Sequence, residues 1–111
     1  MRPEQTRVMI IVMGHLLVDP EIRDDYLAEC VSLVEAARTA PGCLDYALAP
    51  DIVDAGRIVV AERWVSQQAL DDFRGSGPSD EQEAEIRHAD VHDYALSGPE
   101  EPGLSESGDL V

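Results

Sequence analysis

Residues Arg57-Ile58-Val59-Val60-Ala61-Glu62-Arg63-Trp64-Val65-Ser66 carry the best strand pattern in the chain and its only tryptophan. Side chains alternate across a strand, so Ile58, Val60, Glu62 and Trp64 share one face and Val59, Ala61, Arg63 and Val65 the other. Both faces are rich in apolar and β-branched residues, the mark of a strand covered on two sides. Glu62 is the exception. A carboxylate two residues from an indole on an apolar face needs a partner, a wet cavity or the end of the strand. Arg57, Arg63 and a neighbouring subunit are its candidate partners.

Upstream of this strand, Val8 to Val18 is apolar on both faces and is interrupted only by Gly14 and His15. Asp19-Pro20-Glu21 then opens a helix, with Asp19 as cap, Pro20 at the first helical position and Glu21 at the positive end of the dipole. Ile22, Tyr26, Leu27, Cys30, Val31, Val34 and Ala37 form its apolar stripe, and Pro41-Gly42 stops it. Cys43 to Ala49 reads as a strand with Leu44, Tyr46 and Leu48 on one face. Pro50 to Gly56 supplies turn chemistry for a hairpin with the Trp64 strand. Downstream, Ser66 caps a helix from Gln67 to about Phe73 in which Ala69, Leu70 and Phe73 face inward. Ser79-Asp80-Glu81-Gln82 is a capping box opening a short polar helix. Val91 to Ser97 is a last strand, with Val91, Asp93 and Ala95 opposing His92, Tyr94 and Leu96.

Strand, helix, strand, strand, helix, strand is a split βαβ order, giving a four-stranded sheet with helices on one face. The first and third strands are apolar on both faces while helices cover one, so the other face needs a cover. A second copy of the same sheet is the simplest, which predicts a homodimer. An N-terminal arm (1–7) precedes the domain (8–97), and an acidic tail rich in Gly, Pro and Ser (98–111) follows it as a flexible segment.

The chain has 111 residues and a net charge of −15, from 23 acidic residues against eight basic ones, all arginine. That charge repels phosphates and anionic headgroups, which argues against nucleic acid and membrane partners. Without lysine there is no Schiff-base chemistry. The polar N-terminus and the short apolar run behind it give neither signal peptide nor membrane span, so a cytoplasmic protein is expected. Cys30 and Cys43 lack metal-ligand spacing and read as free thiols.

Three stretches together resemble the antibiotic biosynthesis monooxygenase family. They are Val8 to Val18 running into Asp19-Pro20, then Pro41-Gly42-Cys43-Leu44-Asp45-Tyr46, then Glu62-Arg63-Trp64-Val65-Ser66-Gln67-Gln68-Ala69-Leu70-Asp71. The resemblance covers Val8 to Ser97. It implies an α+β fold: a ferredoxin-like split βαβ protomer whose four-stranded antiparallel sheet carries helices on one face, two protomers forming a dimeric α/β barrel. It also implies a chemistry. Several members oxygenate phenols, quinols or aromatic polyketides without flavin, metal or haem, because a deprotonated electron-rich ring can itself pass an electron to dioxygen. The protein supplies a dry pocket, aromatic contact and a group that moves a proton.

Carried over residue by residue, the resemblance places Trp64 at the cavity. Val60 stands where several oxygenases have an asparagine, and Phe73 where a histidine often follows the Ala-Leu pair. Haem-degrading relatives combine that histidine with an asparagine near the end of the first strand. This chain has Gly14-His15 and Phe73-Arg74 at those places and no asparagine, which disfavours haem degradation. The expected catalytic residues are Trp64 for aromatic contact and His15 or His92 for proton transfer. Tyr46, Val60, Glu62, Leu70 and Phe73 are the expected substrate-binding residues, and Ser79 to Arg87 the expected flap. His88 and His92, four apart, do not converge on a strand, so no metal is expected, and no cofactor. The expected partners are a small aromatic, phenolic or quinol-like substrate and dioxygen. The alternative is a small-molecule binder that kept the fold and lost the chemistry; a haem-binding relative stands behind both.

Overall fold

A computed structural model describes residues 6–75 and 83–99, with side-chain surroundings for 8–75 and 83–97. Strand β1 (Thr6–Leu17) leads through a 3-10 turn (Pro20–Ile22) into helices α1 (Arg23–Glu29) and α2 (Val31–Thr39). Strands β2 (Cys43–Pro50) and β3 (Arg57–Trp64), helix α3 (Gln67–Arg74) and strand β4 (His88–Pro99) follow. The sheet order is β2-β3-β1-β4, every neighbour antiparallel, which is the ferredoxin-like arrangement. The capping box at Ser79 to Gln82 and most of the acidic tail lie outside the described residues.

Register fixes which side chains meet. Val12 on β1 pairs with Glu62 on one side and Asp93 on the other, and Tyr46 on β2 pairs with Glu62. Tyr46, Glu62, Val12 and Asp93 therefore form one row across the sheet, on the face that the helices cover. The main core lies there: Ile10, Val12, Tyr46, Val60 and Trp64 from the sheet pack with Ala37 of α2 and Leu70 of α3. A second cluster of Val18, Tyr26, Cys30 and Ile58 anchors α1 to the other end of the sheet. Residues of opposite parity form an open face that includes Met13, Tyr94 and Leu96, which are 44%, 51% and 51% exposed.

Local chemistry explains most boundaries. Asp19 Oδ1 accepts from the Glu21 amide at 3.0 Å and Ser66 Oγ from the Ala69 amide at 3.1 Å, so both expected caps form. In the β2–β3 turn, Asp51 Oδ2 accepts from the amides of Val53 and Asp54, and Asp54 Oδ1 from that of Gly56. Arg23 Nη1 locks the turn from α1 by donating to the carbonyls of Asp51, Asp54 and Arg57.

Four features depart from the sequence reading. The first helix breaks at Cys30, where φ −85° and ψ −5° redirect the chain and the Cys30 amide is shared between the carbonyls of Tyr26 and Leu27. Val31, just past the break, is consequently 53% exposed instead of lying in the apolar stripe. Leu44 also leaves its expected face: Cys43 pairs with Trp64 and Asp45 with Arg63, so Leu44 is the extra residue of a bulge and points outward. Finally, β4 runs from His88 to Pro99, longer at both ends than the expected Val91 to Ser97, because its ladder with β1 continues from Leu17 to Thr6. The Arg87 amide, donating to the Leu17 carbonyl at 2.8 Å, sets that earlier start.

Two glycines are required by their neighbours. Gly42 turns the chain from α2 into β2 at φ +87°, where a β-carbon would also strike Ala69. At Gly14, with φ +153°, a β-carbon would stand 1.9 Å from the Asp90 carbonyl oxygen, so β1 and β4 approach closely only because this residue has no side chain.

Candidate functional site

The end of β3 sets the site. Trp64 is fully buried, and its indole Nε1–H donates to Glu62 Oε1 at 2.9 Å. Residues two apart on a strand share a face, so the indole reaches back along β3 to the carboxylate. The partner of Glu62 is thus this indole and neither Arg57 nor Arg63: Arg63 pairs with Asp45, and Arg57 Nε lies 3.8 Å from Asp51 Oδ1. Glu62 is 9% exposed, and burial raises its pKa above the usual carboxylate value. The indole hydrogen bond and the nearby Arg74 cation work against that rise, while the Asp93 charge adds to it.

Helix α3 supplies the roof. Phe73 stacks on Trp64 with centroids 5.4 Å apart and meets Tyr46 edge-on at 5.8 Å. Arg74 makes a bidentate pair with Asp93 of β4, both contacts at 2.8 Å. That pair lowers the Asp93 pKa, and burial raises that of the Tyr46 phenol. Val60 from the sheet and Leu70 from α3 complete the apolar packing around the rings. Tyr46, Val60, Glu62, Trp64, Leu70 and Phe73 are therefore brought together as expected. A groove of about 640 Å³ at the β2 edge belongs mainly to the other side of the sheet: Ile11, Met13, Ala47, Ala61 and Arg63, all of open-face parity, line it, and Tyr46 and Glu62 border it from strands whose inward side chains point away.

The two histidines are not part of this group. His15 pairs across the ladder with Val59 and Asp90, and His92 with Met13, all with the parity of the open face. His92 Nε2 contacts Asp90 Oδ1 at 2.8 Å, and both histidines line a shallow cavity of about 330 Å³ on that face. The sheet lies between them and Trp64, which corrects the expected grouping of His15, His92 and Trp64. The ionisable group beside the indole is Glu62.

Sequence reasoning missed Arg74 and Asp93. The signal was present in β4: Asp93 lies between Val91 and Ala95 on one face, and an acid at an inward position calls for a cation. Nothing in the sequence pointed to Arg74 as that cation, since α3 ends there and the turn of its last residue is a tertiary matter.

Comparison with known proteins agrees with the fold. The family model for antibiotic biosynthesis monooxygenase matches residues 9–88. The chain belongs to the antibiotic biosynthesis monooxygenase family. Among its relatives is the "Putative monooxygenase YcnE" of Bacillus subtilis, 31% identical over 62 residues, which cover 56% of this chain and 65% of that protein. A second sequence relative is matched over 42% of its length, so the alignments span less than two thirds of either. Among solved structures, Rv0793 from Mycobacterium tuberculosis has a TM-score of 0.66 and 27% identity, covering 79% of this chain and 94% of its own. The structure of a "putative Antibiotic biosynthesis monooxygenase" from Chloroflexus aurantiacus has a TM-score of 0.64 and 29% identity, covering 86% of this chain and 99% of that one. No helix among the described residues of this family member is long and apolar enough to cross a membrane.

Proposed function

We propose that the protein is a cofactor-independent monooxygenase acting on a small phenolic or quinol-like substrate, with Glu62 as the proton acceptor. The observation that carries this reading is the buried Glu62 carboxylate, held by the Trp64 indole, raised in pKa and paired across the ladder with Tyr46 beside the Phe73 ring. A carboxylate made more basic by burial takes a proton more readily than an exposed one, and an apolar surround strengthens its hold on the ring. Removal of that proton makes the substrate electron-rich enough to pass one electron to dioxygen. The radical pair combines to a peroxide. For a ring methylene flanked by aromatic rings, loss of water from that peroxide leaves a ketone, so one oxygen atom enters the product and the other leaves as water.

Tyr46 and Phe73 offer aromatic contact, and Arg74 sits close enough to Glu62 to steady the negative charge that develops. Trp64 acts through Glu62: its N–H fixes the carboxylate and its ring closes the floor. The two protomers of a homodimer would meet through the open sheet face, a reading supported by the exposed apolar side chains of Met13, Tyr94 and Leu96 there.

The test is oxygen uptake by metal-stripped protein with a panel of anthrones and hydroquinones, compared with the uncatalysed rate and with an anaerobic control. Uptake above background, lowered in Trp64→Phe, is the expected result. Saturable binding of the same compounds with no uptake would establish the non-catalytic binder instead. Sedimentation as a monomer at micromolar concentration would remove the dimer.

A further inference from the structure

The open face carries a second constellation with its own chemistry. His15 on β1 and His88 and Asp90 on β4 each offer one ligand atom, and the three atoms lie within 4.8 Å of one another. The register explains why: His15 pairs with Asp90, Leu17 pairs with His88, and residues of like parity two apart on β4 point the same way. Gly14 tightens the approach, since any side chain there would overlap the Asp90 carbonyl. The His15 and His88 rings are 6.3 Å apart and inclined by 43°.

We propose that His15, His88 and Asp90 form a binding site for a divalent transition metal ion of the zinc class on the open face of the sheet. Two imidazoles and a carboxylate are a borderline donor set, suited to zinc, cobalt or nickel ions more than to magnesium or calcium. The surroundings supply the supporting shell. His92 Nε2 holds Asp90 Oδ1 at 2.8 Å, the kind of outer contact that orients a ligating carboxylate. The adjacent cavity of about 330 Å³, lined by His15, Asp90 and His92 together with Met13 and Tyr94, puts the site beside the proposed dimer contact, where a trapped water or a group of the partner sheet takes the remaining position. Arg57 also borders it, but its guanidinium is near Asp51, 3.8 Å away. Ligand atoms in a tetrahedral zinc site are about 3.3 Å apart, given bond lengths near 2.0–2.1 Å. Closing from 4.8 Å takes rotation of the exposed His88 and Asp90 side chains, with no movement of the ladder. The ion would tie the start of β4 to the end of β1.

The inference is independent of the chemistry at Glu62, which lies across the sheet. It is tested with tag-free, metal-stripped full chain titrated with Co²⁺, read by its visible absorption, and with Zn²⁺ in competition. A single saturable equivalent is expected. His92→Ala should weaken it about tenfold, His15→Ala and His88→Ala more, and Asp90→Asn should alter the Co²⁺ spectrum. Zn²⁺ should raise the melting temperature of the parent protein and not of the His15→Ala/His88→Ala double variant. Cobalt binding that is unsaturable, or unchanged in the double variant, would show only cations gathered by the acidic surface and would overturn the site.

Discussion

The two faces of one sheet differ sharply in chemistry. On the helix side, an ionisable group is buried, wrapped in aromatic rings and tied to an indole. On the open side, ionisable groups stay half-exposed and are interspersed with large apolar side chains. The covered face can therefore hold an unusual protonation state, because desolvation acts there without being relieved by water. The open face offers ligand atoms and apolar contact that another molecule or ion has still to cover. Proton chemistry is what we propose for the first, and association for the second.

The largest effect should come from breaking the covered face. Trp64→Ala removes a fully buried indole and leaves Glu62 without its donor, and should cost roughly 3–5 kcal/mol in urea unfolding. Tyr94→Ala on the open face should change monomer stability by about 0.5 kcal/mol or less. Its effect should instead be seen by sedimentation, as a weakened dimer. Equal losses of stability at the two positions would remove the distinction between the faces.

Next in size is the pH dependence of stability. The folded-state pKa of Glu62 is raised, so the folded protein binds the proton more tightly than the unfolded chain does. Stability should fall as pH rises from the ordinary glutamate range through the raised value. Glu62→Gln keeps an acceptor for the indole and carries no charge, so it should flatten this part of the profile. Asp93 works in the opposite sense: its pKa is lowered by Arg74, and the stability it contributes should be lost as pH falls through that lowered value. Asp93→Asn should abolish that acid limb. Because both partners are substantially exposed, breaking the Arg74–Asp93 pair should cost only about 0.5–1 kcal/mol. The smallest expected change is in Arg63→Ala, which breaks an exposed pair with Asp45 and should be near zero.

The fold was legible because several local signals agreed with one another. The alternation of β3, the Asp19-Pro20 start, the Pro41-Gly42 stop and the Ser66 cap each follow from local rules, and together they leave one topology. Assigning side chains to faces was harder for a physical reason. β1 is apolar at both parities, so nothing local says which side His15 takes. In β4, His92, Tyr94 and Leu96 look more like a core face than Val91, Asp93 and Ala95 do, yet the latter face the helices. Only the register through Val12 resolves this, and register is a property of three strands together. Leu44 shows the same limit on a smaller scale, since one extra residue in β2 reverses its side.

Oxygen uptake by two variants with a turned-over anthrone or hydroquinone separates the faces most directly. Glu62→Gln should lower the rate about 10²-fold or more, as loss of a positioned proton acceptor does. The His15→Ala/His92→Ala double variant, altered only across the sheet, should keep the parental rate. Uptake retained in Glu62→Gln and lost in the double variant would place the chemistry on the open face and contradict the assignment of Glu62.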